Sequence, residues 1–227
     1  MSYNNTQAQR VVFDVETVSL PECAQYLDTP KAPSNWKDPN KIKAHCEEKQ
    51  QDQLETAGLD PDLCQIVAIG WMEEGQNLPT VLSQAITSEA DMLTAFWRHL
   101  DNRATVGFNS LGFDLPVLLR RSLYLQVPAP LLNLDRYRTG HIDLQQRLSH
   151  NGLLKYRGLM WYCRRFGLCQ DLTDLAKGSD IAALVASESW ADVILHCQSD
   201  VLRTHALAQR LGLIQAQPEP QLTEASF

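Results

Sequence analysis

The sequence lacks any run of eighteen apolar residues, so nothing in it reads as a membrane-spanning helix. Its longest uncharged apolar stretch, residues 122–134, is interrupted by Pro128 and Pro130. The N-terminus, MSYNNTQAQR, has no apolar centre of the kind a secretory signal needs. The expectation is a soluble, cytoplasmic chain without membrane contact. The six cysteines (Cys23, Cys46, Cys64, Cys163, Cys169 and Cys197) form no C-x-x-C pair. In an intracellular chain they read as small buried hydrophobes. A zinc site built on His45 and Cys46 finds no support in the spacing. No internal repeat is visible. With 44% hydrophobic and 21% charged residues the composition is that of a globular protein, which excludes disorder, collagen, coiled coil and small disulfide scaffolds.

What is present is enough chain for one substantial core. A polypeptide of 227 residues buries roughly 70% of its unfolded surface on folding. A single domain over residues 1–213 is expected, followed by a polar, frayed tail at 214–227. The net charge of −7 looks wrong for a nucleic-acid binder. Its distribution is uneven: ten basic residues and three acids fall between Arg103 and Arg165. Such a segment is either a solvated helical face or a local phosphate-binding surface.

Residues 10–17, RVVFDVET, alternate apolar side chains around Asp14 and Glu16 and predict a strand. Residues 21–62 are rich in Pro, Lys, Gln, Glu and Asp and read as an insertion near a substrate cleft. Within it Asp38-Pro39 starts a solvated helix that ends at Gly58. CQIVAIGWM and LPTVLSQAI predict two further strands. Ser88, with Asp91 three residues on, opens a helix over 89–101 with Met92, Phe96 and Leu100 on one face. ATVGFN (104–109) predicts a short buried strand and LPVLLRRSL a helix. A strand or loop near His141–Asp143, a helix over 153–166 and a long helix over 190–212 complete an α/β layered domain.

Three pieces carry chemistry. Asp14 and Glu16, at i and i+2 on a strand, point to one face, and two carboxylates so close need a neutralising partner. Asp114 lies at a strand-to-helix turn, where a helix cap is the plain alternative. His196 and Asp200 share one face of the last helix, where the plain alternative is a surface pair. Trp161, Tyr162 and Phe166 stand at helical spacing, which favours core over a base-stacking platform. Asp143 and Asp180 read as caps.

Taken in order, FDVET, SNWKDPNKIKAH, VGFNSLGFDLPVL, HIDL, GSDI and CQSDVLRTHAL resemble the DEDD (DnaQ-like) 3′–5′ exonuclease superfamily. The group most like them is the one related to the exonuclease domain of family-B DNA polymerases, and the resemblance runs from Val11 to about Leu211. It implies an α/β ribonuclease H-like fold, a mixed five-stranded sheet flanked by helices. It also implies that Asp14, Glu16, Asp114 and Asp200 bind two divalent ions, Mg²⁺ or Mn²⁺, as hard oxygen donors should. Asp14 would bridge the ions, Glu16 and Asp200 would hold the side with the attacking water, and Asp114 the other. Enzymes of this group usually carry Tyr four residues before the last Asp, and a histidine subclass carries His five before it. Here Leu195 is five before and His196 four before, so His196 is the expected group for orienting or deprotonating the water; an ordinary imidazole pKa of about 6.5 suits that task.

The implied function is hydrolysis at DNA 3′ ends, preferably single-stranded, releasing nucleoside 5′-monophosphates. An exoribonuclease and a non-catalytic binding module of the same fold are the alternatives. Thr17 and Asn109 are candidates for holding the terminal nucleotide. Arg164 and Arg165, with Arg120 and Arg121, are candidates for backbone contacts. A replication or repair protein is the kind of partner the resemblance implies.

Overall fold

The structure is a computed structural model and describes residues 10–73, 75–172 and 176–215. Among these residues five strands form one mixed sheet in the order β3-β2-β1-β4-β5. They are β1 (Val11–Ser19), β2 (Cys64–Glu73), β3 (Thr80–Ser83), β4 (Thr105–Gly107) and β5 (Ile142–Asp143). β2 runs antiparallel to β1 and β3, whereas β1, β4 and β5 are mutually parallel. β1 is therefore central and long, and β4 and β5 stop early beside it.

Alternation along β1 sends its side chains into two separate layers. Val11, Phe13 and Val15 pack with α2 (Glu89–Leu100) and α3 (Asp114–Tyr124) through Met92, Phe96, Leu115 and Leu118. Val12 packs on the opposite face with α5 (Leu159–Phe166) and α7 (Trp190–Arg210), among Tyr162, Cys163, Val201 and Leu207. Asp14 and Glu16 fall in the same alternation as Val12, so they face α7. The helix starts follow from local chemistry. Asp38 accepts from Asn40 and Lys41 N–H at the start of α1 (Pro39–Thr56). Ser88 accepts from Asp91 N–H at the start of α2.

Several boundaries differ from those the sequence predicts. The helix expected over 153–166 begins only at Leu159, with Gly158 in extended backbone as its cap. Leu153 and Leu154 are largely exposed, so nothing there stabilises a helical turn between Gly152 and Gly158. Two short helices, α4 (Leu144–Leu148) and α6 (Ile181–Ala186), add to the expected set and carry no strong periodic signal. α1 ends at Thr56, and a tight turn over Ala57–Leu59 carries the chain through Gly58. Of the segment expected to fray, Ile214 is buried against the α5–α7 layer, and residues 216–227 lie outside the described residues. No described helix is long and apolar enough to cross a membrane.

Candidate active site

The site lies where β4 ends. Because β4 pairs with β1 only at Val11 and Val12, the N–H of Val15 on that side has no strand to meet. Asp114 supplies the partner: its Oδ1 accepts from Val15 N–H at 3.3 Å. The turn that delivers Asp114 is built by Asn109, which adopts a left-handed φ of 61°, a conformation Asn tolerates better than most residues. Asp143, buried at the end of β5, braces that turn by accepting from Asn109 and Leu111 N–H, each at 3.1 Å. The same carboxylate caps α4 through Gln145 and Gln146 N–H. The cap expected of Asp143 is thus present, and it also holds the loop that presents Asp114. Asp180 likewise accepts from Lys177 N–H as a local cap.

Opposite this loop, α7 presses on the sheet. Asp14 pairs with Gly70 and Glu16 with Ala68 across β2, so the residues flanking the two acids are small. A Cβ on Gly70 would lie 2.8 Å from Cys197 Sγ and 3.0 Å from a Val201 methyl. That proximity brings His196 and Asp200 over β1. A β-bulge immediately after Glu16 turns the strand away beyond the acid, as bulges beside functional sites often do. His196 Nε2 stands 3.8 Å from Glu16 Oε1 and 3.9 Å from Asp200 Oδ2, and Leu195 is 39% exposed on the outside of the helix. The inward position is therefore the one four residues before Asp200. Asp200 is held by Arg203, whose Nη1 donates to its Oδ1 at 2.7 Å.

Electrostatically the cluster is a frustrated anion site. Burial, then the charges of Glu16, Asp114 and Asp200, hold the Asp14 pKa well above the ordinary carboxyl range. Burial, then Asp200 and Asp114, do the same to Glu16. Burial raises Asp114 to about 7 despite its backbone hydrogen bonds. Burial and the same four acids push the Cys197 thiol up, so it stays neutral and donates no thiolate. Glu16 Oε1 is buried without a hydrogen-bond partner. Ligand atoms of Asp14, Glu16 and Cys197 lie within 4.8 Å of one another. An orphaned carboxylate oxygen among mutually repelling acids is relieved by a cation. The donors are hard oxygens, so the residues present fit divalent ions such as Mg²⁺ or Mn²⁺.

The remaining sequence candidates are distributed unevenly. The Thr17 hydroxyl donates to Gly58 O at 2.7 Å and ties β1 to the insertion. Asn109 is exposed at the turn itself. Arg164 and Arg165 are exposed in the last turn of α5. For Arg121 the expected phosphate contact is corrected. It is buried and makes a two-pronged ion pair with Glu89 at 2.8 and 2.9 Å, so it braces α3 against α2 and its charge is already paired. Arg120 pairs with Asp62 at the surface. Phe113 packs on the α2–α3 core. The core reading fails for Trp161, which is 44% exposed, and holds for Tyr162. A cleft of about 750 Å³ between the insertion and α3 is lined by Glu22, Tyr26, Asp28 and Arg121; none of the four acids lines it. Sequence reasoning misses Arg203, Cys197 and Gly70. The one signal for Arg203 is its position three residues after Asp200 on the apolar face of α7.

A five-stranded mixed sheet with helices on both faces and buried acids at the ends of its parallel strands defines a class of nuclease-like α/β domains. A family model described as "Predicted 3'-5' exonuclease related to the exonuclease domain of PolB" matches residues 59–226, about three quarters of the chain, and the chain belongs to this family. The matched span contains Asp114, His196 and Asp200 but begins after Asp14 and Glu16, which the sheet brings to them. Among solved structures, a family B DNA polymerase from the hyperthermophilic archaeon Pyrobaculum calidifontis is similar with a TM-score of 0.61 and 17% identity, over 90% of this chain and 24% of that one. The likeness shows the ribonuclease H-like fold, and the chain spans about a quarter of that polymerase. Comparison with curated proteins finds no match.

Proposed function

We propose that the chain is a divalent-metal-dependent 3′–5′ exodeoxyribonuclease that removes nucleotides from single-stranded or frayed DNA 3′ ends. The observation that carries this reading is that four carboxylates from β1, α3 and α7 lie close enough for Glu16, Asp114 and Asp200 together to raise the Asp14 pKa, with His196 within 4 Å of both Glu16 and Asp200. Asp14, Glu16, Asp114 and Asp200 would hold the ions. When bound, such ions supply the positive charge that activates an attacking water and stabilises a leaving 3′ oxygen. The water oxygen forms the new bond to phosphorus and the bond to the 3′ oxygen breaks. The departing 3′ oxygen takes a proton from solvent water, so that a nucleoside 5′-monophosphate and a strand shortened by one nucleotide, with a free 3′ hydroxyl, result. His196 accepts the proton from the water, and the imidazolium that forms is stabilised by Glu16 Oε1 and Asp200 Oδ2, which stand 3.8 and 3.9 Å from Nε2. Arg203 acts through Asp200 and is a positioning residue. Asn109 and Thr17 flank the terminal nucleotide, and Arg164 and Arg165 meet the phosphates of the strand behind it.

The test is cleavage of 5′-labelled single-stranded DNA, duplex DNA and RNA of one sequence, with Mg²⁺, Mn²⁺ or chelator, beside an Asp14→Ala chain. A metal-dependent ladder shrinking from the 3′ end of DNA, and absent in Asp14→Ala, is the expected result. Preferential shortening of RNA would replace the polymer. No cleavage of any substrate would leave a binding module of the same fold.

His196→Ala is expected to lower kcat by about 10²–10⁴-fold, the range of a positioned proton acceptor, with KM little changed. The rise of kcat/KM with pH in the parent should flatten in this variant. A rising alkaline limb that persists unchanged in His196→Ala would sink the proton-acceptor role.

A further inference from the structure

Trp161 is the outer end of a line of rings. Its neighbour Tyr162 is buried and sits 6.3 Å from Phe108, the residue that precedes the Asn109 turn. Trp161 meets Tyr162 edge-on at 5.1 Å but faces outward, 44% exposed. The rings of Phe108, Tyr162 and Trp161 thus run without a break from the loop that carries Asp114 to the surface. Trp161, Arg164 and Arg165 stand at i, i+3 and i+4 on α5 and so share one helix face. All three are exposed. A third cation, Arg157, lies 5.0 Å over the Trp161 ring and fixes its orientation by cation–π attraction. Tyr156, next to Arg157, is also exposed at 48%. From residue 144 to residue 170 there are five arginines or lysines and no acid, in a chain of net charge −7. An outward indole fixed by a guanidinium, with further guanidiniums on the same face, has the chemistry of a surface for single-stranded nucleic acid. Bases stack on the ring and phosphates meet the cations.

We infer that Trp161, held by Arg157, is a stacking platform for a base of the DNA strand 5′ of the nucleotide being removed, with Arg164 and Arg165 on that strand's phosphates. The inference rests on the exonuclease reading for the identity of the strand. The platform extends binding beyond the four acids to the segment that must advance after each cleavage. It also explains how an acidic protein holds a polyanion, since the contact surface is locally basic.

The test is equilibrium binding of a fluorescent twelve-nucleotide oligothymidylate to the full chain carrying Asp14→Ala, in Mg²⁺, by fluorescence anisotropy. Adding Trp161→Leu is expected to weaken binding by about 5- to 150-fold, the range of one lost base stack. Trp161→Tyr, which keeps a ring, should stay within about threefold. An oligomer built of abasic sites should bind the Trp161→Leu protein and its parent alike. Arg164→Ala with Arg165→Ala should lower the slope of log affinity against log salt by about 0.7 for each phosphate no longer neutralised, whereas Trp161→Leu should leave that slope alone. Equal affinity of Trp161→Leu and its parent for oligothymidylate, or equal loss in Trp161→Tyr and Trp161→Leu, overturns the platform. So does failure of the Asp14→Ala chain to bind the oligomer. The readout needs no hydrolysis. If the unsubstituted chain shortens no DNA while Trp161→Leu still weakens binding, the platform stands and the exonuclease reading falls. If a ladder forms and Trp161→Leu binds as its parent does, only the platform falls.

Discussion

Asp114→Asn is expected to abolish hydrolysis and yet leave the metal-free protein more stable than its parent at about pH 7.5. Asparagine keeps the oxygen that accepts from Val15 N–H and removes the charge that burial opposes. The folded-state pKa of Asp114, about 7, lies above the value of about 3.9 for an unfolded carboxyl. Between those values the folded state binds more protons than the unfolded one, so stability falls as pH rises. The contribution is fully present below about pH 4 and lost as pH passes about 7. Asp14 and Glu16 are raised for the same reasons and act in the same direction. The difference between the folded and unfolded values sets a ceiling of about 4 kcal/mol; a gain of about 1–3 kcal/mol in the metal-free variant is the expected result. Mg²⁺ or Mn²⁺ should raise the melting temperature of the parent by binding only the folded state, and raise that of Asp114→Asn much less. Activity should fall by roughly 10³-fold or more, because metal-held charge stabilisation is worth several kcal/mol. Thermal melts from acid to neutral pH, with chelator and with Mg²⁺, check the sign. A metal-free melting temperature that stays level or climbs from about pH 4 to about pH 7 would remove this electrostatic account.

Gly70→Ala should damage both activity and stability without touching a charged group. Its new methyl would lie 2.8 Å from Cys197 Sγ and 3.0 Å from Val201, and both residues are fully buried. Since neither has open space to move into, the strain passes to α7, which carries His196 and Asp200. Overpacking of this kind costs about 1–3 kcal/mol. A displacement of the helix by about 1 Å is enough to lower the rate about 10²-fold. Cys197→Ala introduced with Gly70→Ala removes the closer clash and should restore part of both losses, so the two substitutions will not add. Melting temperatures and initial rates of the two single variants and the double variant form the cycle. Strict additivity, or parent-like behaviour of Gly70→Ala, would mean that the approach of α7 at Gly70 does not set the position of Asp200.

The short-range order of the chain is legible in the sequence because its causes are short-range. Alternation around Asp14 and Glu16, the Asp38-Pro39 start of α1 and the Ser88 cap of α2 each need only a few neighbouring residues. The helix expected over 153–166 is too long because apolar periodicity does not reveal whether Leu153 and Leu154 have anything to pack on. Arg121 and Trp161 show the same limit in opposite directions. An arginine on an amphipathic helix reads as solvated until Glu89 is found beside it, and a tryptophan at helical spacing reads as core until it is found outside.

The site residues that share one element could be paired before any fold was known: Asp14 with Glu16 by the two-residue period of a strand, and Asp200 with His196 by the four-residue period of a helix. How those pairs meet is a matter of packing between elements. Asp143 sits under the Asn109 turn so that Asp114 reaches Val15, and Arg203 stands behind Asp200. Gly70 is bare, so α7 comes down on β1. Apart from the Arg203 pair, these contacts join segments far apart along the chain, and all of them depend on close-packed distances that no local periodicity encodes.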